Sequence, residues 1–172
     1  MPATSAELLT FIDGLGITTK TYDHAPVFTV AESLAMDHTM PGGHTKNLFL
    51  KDKKDRLFLV VALHDAAIEM KSLHKTLQCD RLSFGKAELL EQVLGIKPGS
   101  VTPFSVLNDK DRQVTVVLDA PMMDLPLLNY HPLENTATTA IARDDLLRFI
   151  RATGHEPRIV KVSNGIGVPA AA

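Results

Sequence analysis

Apolar positions along the chain follow two periods, and the change from one to the other marks most of its elements. Leu8, Phe11, Ile12 and Leu15 recur at helical spacing behind Thr4 and Glu7, a capping-box pair, and Gly14 and Gly16 close that segment. The threonine-rich stretch Ile17 to Tyr22 suits a short strand. Thr29 and Glu32 repeat the capping-box spacing and open a second short helix through Leu34 to Met36. Met40-Pro41-Gly42-Gly43 reads as a loop, because a proline and two glycines in a row break either regular structure. Next come two apolar runs, Asn47 to Leu50 and Leu57 to Leu63, joined by the polar Lys51 to Arg56, which is a hairpin pattern. The second run has no polar alternation, so it predicts a central strand buried on both faces.

Farther along, Met70, Leu73 and Leu77 define one face of a helix over 70–77, and Glu88 to Leu94 forms another that Gly95 stops. Phe104 to Leu107 and Val114 to Leu118 suggest a second hairpin around Asn108 to Asp111. Strands are expected over 127–130, 136–141 and 158–162, and a helix over 144–152 capped by Gly154. Helices and strands are mixed irregularly, with hairpins, which does not fit a repeated βαβ unit. The pattern predicts an α+β fold, a mixed, mostly antiparallel sheet with packed helices. A single domain is expected over 1–165, followed by a flexible tail over 166–172.

Composition narrows the function classes. The chain has 172 residues, enough to bury one core without staples. Its 18 Lys and Arg against 20 Asp and Glu leave a net charge of −2, which excludes broad coating of nucleic acid by charge and a disordered acidic tail. A lone Cys79 excludes an internal disulfide framework and a cysteine-rich zinc site. There is no apolar run of about 18 residues to span a membrane. Met1 to Leu15 lacks a basic start followed by an apolar stretch, so no signal peptide is expected and the expected location is cytoplasmic.

Familiar catalytic motifs are missing. His38 and His44 flank the Met40–Gly43 loop beside Asp37, without the spacing that zinc needs, so they read as loop histidines and no metal or other cofactor is expected. Cys79 reads as a buried inert thiol. Neither a nucleophile elbow nor a phosphate-binding glycine loop occurs. Three stretches remain. Gly43-His-Thr-Lys46-Asn47 brings a lysine to the mouth of an apolar strand, suited to a phosphate or a carbonyl, or simply solvated there. Pro98-Gly99-Ser-Val-Thr-Pro103 can bring backbone N–H groups close to a ligand, although chance alone gives about 0.6 Gly-x-x-x-Pro matches in such a chain and Gly165 to Pro169 is another. Asn129-Tyr-His131-Pro132-Leu-Glu-Asn135-Thr136 crowds polar side chains at a turn, where they face a pocket or satisfy backbone.

In their order and spacing, Lys46-Asn-Leu-Phe-Leu-Lys-Asp52, Gly99-Ser-Val-Thr-Pro-Phe104 and His131-Pro-Leu-Glu-Asn-Thr-Ala-Thr139 together resemble the YbaK/ProX superfamily of aminoacyl-tRNA deacylases. His24-Ala-Pro-Val-Phe28, Thr29 to Glu32 and Asp144 to Phe149 agree, so the resemblance covers nearly the whole chain. The most similar subgroup is the free-standing alanyl-tRNA(Pro) deacylases, the ProXp-ala type, and the fold implied is that of the prolyl-tRNA synthetase editing domain. The resemblance implies hydrolysis in trans of a mischarged aminoacyl ester, most simply Ala-tRNA(Pro), by a positioned water and backbone oxyanion stabilisation. It implies Lys46, Gly99 and His131 as catalytic residues. Asn47, Ser100, Val101, Thr102, Pro103 and Asn135 would bind substrate, with Phe28, Leu34 and Met36 as apolar walls. The implied partners are the acceptor end of tRNA(Pro) and, transiently, prolyl-tRNA synthetase or elongation factor. Two alternatives stay open: a deacylase for Cys-tRNA(Pro) or another small amino acid, and a non-catalytic tRNA- or synthetase-binding module.

Overall fold

A computed structural model describes residues 1–26 and 40–164. Helix α1, Ser5–Gly14, begins at the expected capping box: Thr4 accepts from the Glu7 amide and Glu7 accepts from the Thr4 amide. Strand β1, Thr19–Asp23, follows. Strands β2, Gly43–Asp52, and β3, Leu57–Leu63, form the expected hairpin. The strand begins four residues earlier than expected, because Gly43 and His44 pair with a further strand and so extend it into the glycine loop. The expected helix at Thr29 to Met36, the histidine at 38 and the tail from 166 lie outside the described residues.

Helix α2, Met70–Leu77, and helix α3, Ala87–Leu94, match the periodicity, and Gly95 ends the latter in a left-handed conformation. Between them lies β4, Leu82–Phe84, which no pattern in the sequence announced. Pro103–Asn108 is a 3-10 helix, not the first strand of a hairpin. Thr102 caps it, Pro103 starts it, and Phe104 and Val106 point into the core, so three apolar residues around Ser105 serve a helical turn. Strand β5, Val114–Asp119, a second 3-10 turn at Ala120–Asp124, and strands β6, Leu127–Tyr130, and β7, Ala137–Ala142, follow. Helix α4, Arg143–Ala152, and strand β8, Arg158–Val160, complete the described fold, the last strand two residues shorter than expected.

The sheet order is β1-β7-β6-β2-β3-β5-β8, with β4 also on β2. Four of its seven pairings are antiparallel and three parallel, the mixed sheet of an α+β fold. β3 is buried almost throughout, as its uniform apolarity requires. One face of the sheet carries Phe49, Leu59, Val61, Val116 and Leu118 against α1, α3, α4 and the first 3-10 turn. Phe104 stands edge-on to both Phe149 and Tyr130 within that core. The other face carries Leu50, Phe58, Val60 and Val117 against Leu73 and Leu77 of α2.

One edge of β2 is shared. Its first residues pair with β6 at Gly43–Leu128 and His44–Asn129, and its last pair with β4 at Leu50–Phe84 through Asp52–Leu82. The sheet forks between these two contacts. Lys46 and Asn47 stand at the fork.

Candidate active site

Lys46 is held in the middle of β2 by its pairing with Ala62. Alternation along the strand puts its side chain on the α2 face with Leu48 and Leu50. Its ammonium donates to the Ala66 carbonyl in the loop after β3. Partial burial pushes the amine below its usual range, and the nearby carboxylates of Asp65 and Asp119 counter that. Asn47 points to the opposite face, where its Oδ1 is buried without a partner. These adjacent residues therefore serve opposite sides of the sheet.

His131 follows β6 directly. The parallel pairing of β2 and β6 ends at His44 and Asn129; Lys46 lies two residues farther along β2, and His131 two residues after Asn129, just past the end of β6. The His131 ring is half-buried, and its Nδ1 donates to the Ala137 carbonyl at 3.0 Å. That bond leaves Nε2 as the acceptor of the neutral ring. Burial holds the imidazole below its ordinary range, and His24 pushes in the same direction, with ring centroids 6.3 Å apart. His24 in turn sits between the Ala25 carbonyl and the Thr138 hydroxyl, each at 2.8 Å.

Gly99 is exposed and has φ of +95°, where a side chain is strained. It lies against the turn after His131: a Cβ at this position would stand 3.8 Å from Asn135 Nδ2. Ser100 is buried and its amide donates to the Lys97 carbonyl. Thr102 and Pro103 are buried beneath the loop, where the Thr102 hydroxyl accepts from the Phe104 amide and its carbonyl accepts from the Ser105 hydroxyl. Val101 is half-buried against the main core. The structure thus gathers Gly99, Asn135 and His131 at one turn, while Thr102 and Pro103 hold the loop from below. Phe28, Leu34 and Met36 lie outside the described residues.

Two residues of this region had no individual role assigned from the sequence. Asn129 donates through Nδ2 to the carbonyls of Pro41 and Gly43 at 3.0 and 3.2 Å, which anchors the start of β2 to β6. A Cβ on Gly42 would come within 2.9 Å of that amide, so the first residue of the glycine pair must stay bare. Asp119, fully buried at the end of β5, is the other. Its sequence signal was a lone carboxylate ending an otherwise apolar strand. Among the described residues no three His, Cys, Asp or Glu side chains are arranged to hold a metal ion. The His44 ring is engaged with the protein, its Nε2 2.9 Å from the Met40 carbonyl oxygen.

Residues 24–149 match the model of the aminoacyl-tRNA editing domain. The chain belongs to that family. Editing by such a domain is hydrolysis of an aminoacyl ester, so the expectation of an aminoacyl-tRNA hydrolase holds at family level. A "Prolyl-tRNA synthetase associated domain-containing protein 1" from Danio rerio is 39% identical over 156 residues, covering 90% of this chain and 85% of that protein. The "Prolyl-tRNA editing protein ProX" of Acetoanaerobium sticklandii is 34% identical over 152 residues, covering 88% and 93%. The editing-domain fold recurs in a crystal structure described as a candidate trans-editing enzyme for prolyl tRNA synthetase. That structure has a TM-score of 0.68 at 16% identity, covering 94% of this chain and 99% of that one.

Proposed function

We propose that this editing domain acts in trans on mischarged tRNA(Pro) and hydrolyses the ester of alanine. The observation that carries the reading is the approach of Gly99 to Asn135, in the turn that His131 opens and ties to Ala137. The relatedness to a prolyl-tRNA editing protein supports the tRNA.

A proline site in a synthetase cannot exclude the smaller alanine by size, and a difference of one or a few methylenes gives only about 1–3 kcal/mol. A second, hydrolytic site must therefore remove the error. The ester is already activated, so a positioned water and stabilisation of the developing oxyanion suffice. One well-placed donor contributes about 3–4 kcal/mol. The Ser100 amide is committed to Lys97, so the donors available in this loop are the neighbouring N–H groups of Gly99 and Val101. Neutral His131 offers Nε2 to the attacking water or to the amino group of the substrate. Lys46 supplies positive charge toward the terminal adenosine or the ester.

The small net charge is compatible with this substrate if only the single-stranded acceptor end needs local cations. A cavity of about 500 Å³ between α2 and β4 is lined by Met70, Lys71, His74, Lys75, Arg81 and Leu82. It opens on the same face of the sheet as Lys46, and phosphates of the acceptor end suit it. Prolyl-tRNA synthetase or elongation factor would be the transient partner of such a cycle. The test is incubation of the full chain with Ala-tRNA(Pro) and Pro-tRNA(Pro): the first is hydrolysed and the second spared. A chain that binds both and hydrolyses neither is a binding module.

A further inference from the structure

We propose that Asp119 is a positioning residue for Lys46, holding its ammonium charged and in place through a row of side chains that crosses three strands. The inference rests on the deacylase reading for its consequence but not for its geometry. Lys46 on β2 pairs with Ala62 on β3. The parallel pairing of β3 with β5 runs through Val61 and Leu118, and one step farther come Ala62 and Asp119. Lys46, Ala62 and Asp119 therefore occupy consecutive places across the sheet. All three side chains take the face that carries Leu50, Val60 and Val117.

The middle residue is the smallest apolar side chain available and is fully buried. Strands two apart are separated by about 10 Å, which the four methylenes of a lysine and the one of an aspartate share across an alanine. A larger residue at 62 would stand between them. The carboxylate itself is divided in its duties. Oδ1 accepts the amides of Val162 and Ser163 at 2.8 and 3.2 Å, which fixes the orientation of the group. Oδ2 is buried and has no hydrogen-bond partner. A buried carboxylate with one oxygen unpaired requires a nearby cation to offset its desolvation. Lys46 feels the charge of Asp119, which favours the charged amine.

Other titratable groups share this face and enter the same balance. Asp65 lies in the loop after β3 and favours the ammonium more strongly than Asp119 does. His44 stands two residues before Lys46 on β2, and His64 follows Ala62 beyond β3, their rings 6.2 Å apart. His131 lies just past the end of β6, beyond the last β2–β6 pair at His44 and Asn129. Asp119 differs from these in being fully buried and oriented by two backbone amides, so it acts as a fixed charge.

The experiment follows the Lys46 amine directly, by NMR titration of its ε-carbon in the full-length protein. In Asp119→Asn the carbonyl oxygen can still accept the two amides while the charge is gone. The Lys46 titration is expected to move to lower pH, and the alkaline limb of kcat for Ala-tRNA(Pro) is expected to move with it, while KM changes little. The loss in kcat relative to the parent is expected to grow as pH rises. A variant that folds with Lys46 titrating as in the parent overturns the proposal, whatever its activity. Should Asp119→Asn not fold, Ala62→Val supplies the same reading by separating the two charges: a downward move supports the coupling and an unmoved titration overturns it. Because the titration is read without tRNA, absence of turnover on every aminoacyl-tRNA would sink the deacylase reading alone.

Discussion

His131 donates its Nδ1 hydrogen to the carbonyl oxygen of Ala137 at 3.0 Å, across the turn that joins β6 to β7. That bond fixes the ring orientation and leaves Nε2 as the free acceptor. Burial, aided by the neighbouring His24, holds the imidazole below its ordinary value of 6.5. The neutral form therefore persists to lower pH than in an exposed histidine. The expected kcat/KM profile is level near neutrality and falls only below pH 6.5, as the ring gains a proton. His131→Ala should remove that acid limb and lower kcat by about a hundredfold, within the range of general acid–base contributions. A limb lying above pH 6.5, or one that survives in the variant, contradicts this role.

Gly99 offers a different kind of test. Its φ of +95° disfavours any side chain, yet the space beside it is open, with Asn135 Nδ2 in ordinary contact range of an added methyl. Gly99→Ala is thus penalised through the backbone and not by a clash. The expected loss of stability is about 1–2 kcal/mol, read from thermal or denaturant unfolding. Deacylation should fall much further than stability, because relaxation of the loop redirects the Gly99 and Val101 amides. Full activity in a variant destabilised by that amount would show that the loop does not stabilise the oxyanion.

Lys46→Ala removes a donor from the Ala66 carbonyl and positive charge from the fork. The structural loss should be about 1 kcal/mol, the net value of one hydrogen bond. The functional loss should be about a hundredfold in kcat/KM, with a shallower dependence of tRNA affinity on salt. Unfolding curves and binding measured at several salt concentrations separate the two effects. Equal salt slopes in parent and variant would mean that Lys46 does not meet the tRNA.

Away from the site, Asp109 ties the start of β5 to the end of α4. It accepts the amides of Gln113 and Val114 at 3.0 and 2.9 Å and lies 2.8 Å from Nε2 of His155, whose Nδ1 is 2.9 Å from the Thr153 hydroxyl. Burial pushes the Asp109 carboxyl up, but His155 and the two amides outweigh it, so the group titrates below its ordinary range. A carboxyl with a lowered folded value contributes stability that is present above about pH 4 and is lost as pH falls through the folded value. Asp109→Asn should cost about 1–3 kcal/mol at about pH 7. The gap between parent and variant should close on acidification below about pH 4. A gap independent of pH would show that shape, not charge, holds this corner.

The parts of the fold that were readable in the sequence are those set by neighbours in the chain. The Thr4–Glu7 capping box, the stop at Gly95 and the uniform apolarity of β3 each declare themselves within a few residues. Phe104 to Leu107 did not, because three apolar residues around Ser105 suit a strand as well as a turn of helix. The cap at Thr102 and Pro103 decides for the helix. β4 is three residues long and exists by pairing with β2 some thirty residues earlier, so no local period marks it. The site divides in the same way. Lys46, Gly99 and His131 stood out as motifs, whereas Asp119 and Asn129 acquire their roles from strand register. The opposite facing of Lys46 and Asn47 follows from alternation alone once β2 is known to run through both.

The proposed activity is hydrolysis of the ester that joins alanine to tRNA(Pro). Its most direct test is the rate of deacylation by the purified full chain across Ala-, Cys-, Ser- and Pro-tRNA(Pro), each measured against the spontaneous rate. Ala-tRNA(Pro) should be cleared fastest and Pro-tRNA(Pro) should decay only at the spontaneous rate. Hydrolysis of Cys-tRNA(Pro) ahead of Ala-tRNA(Pro), or spontaneous rates for all four, would contradict the account.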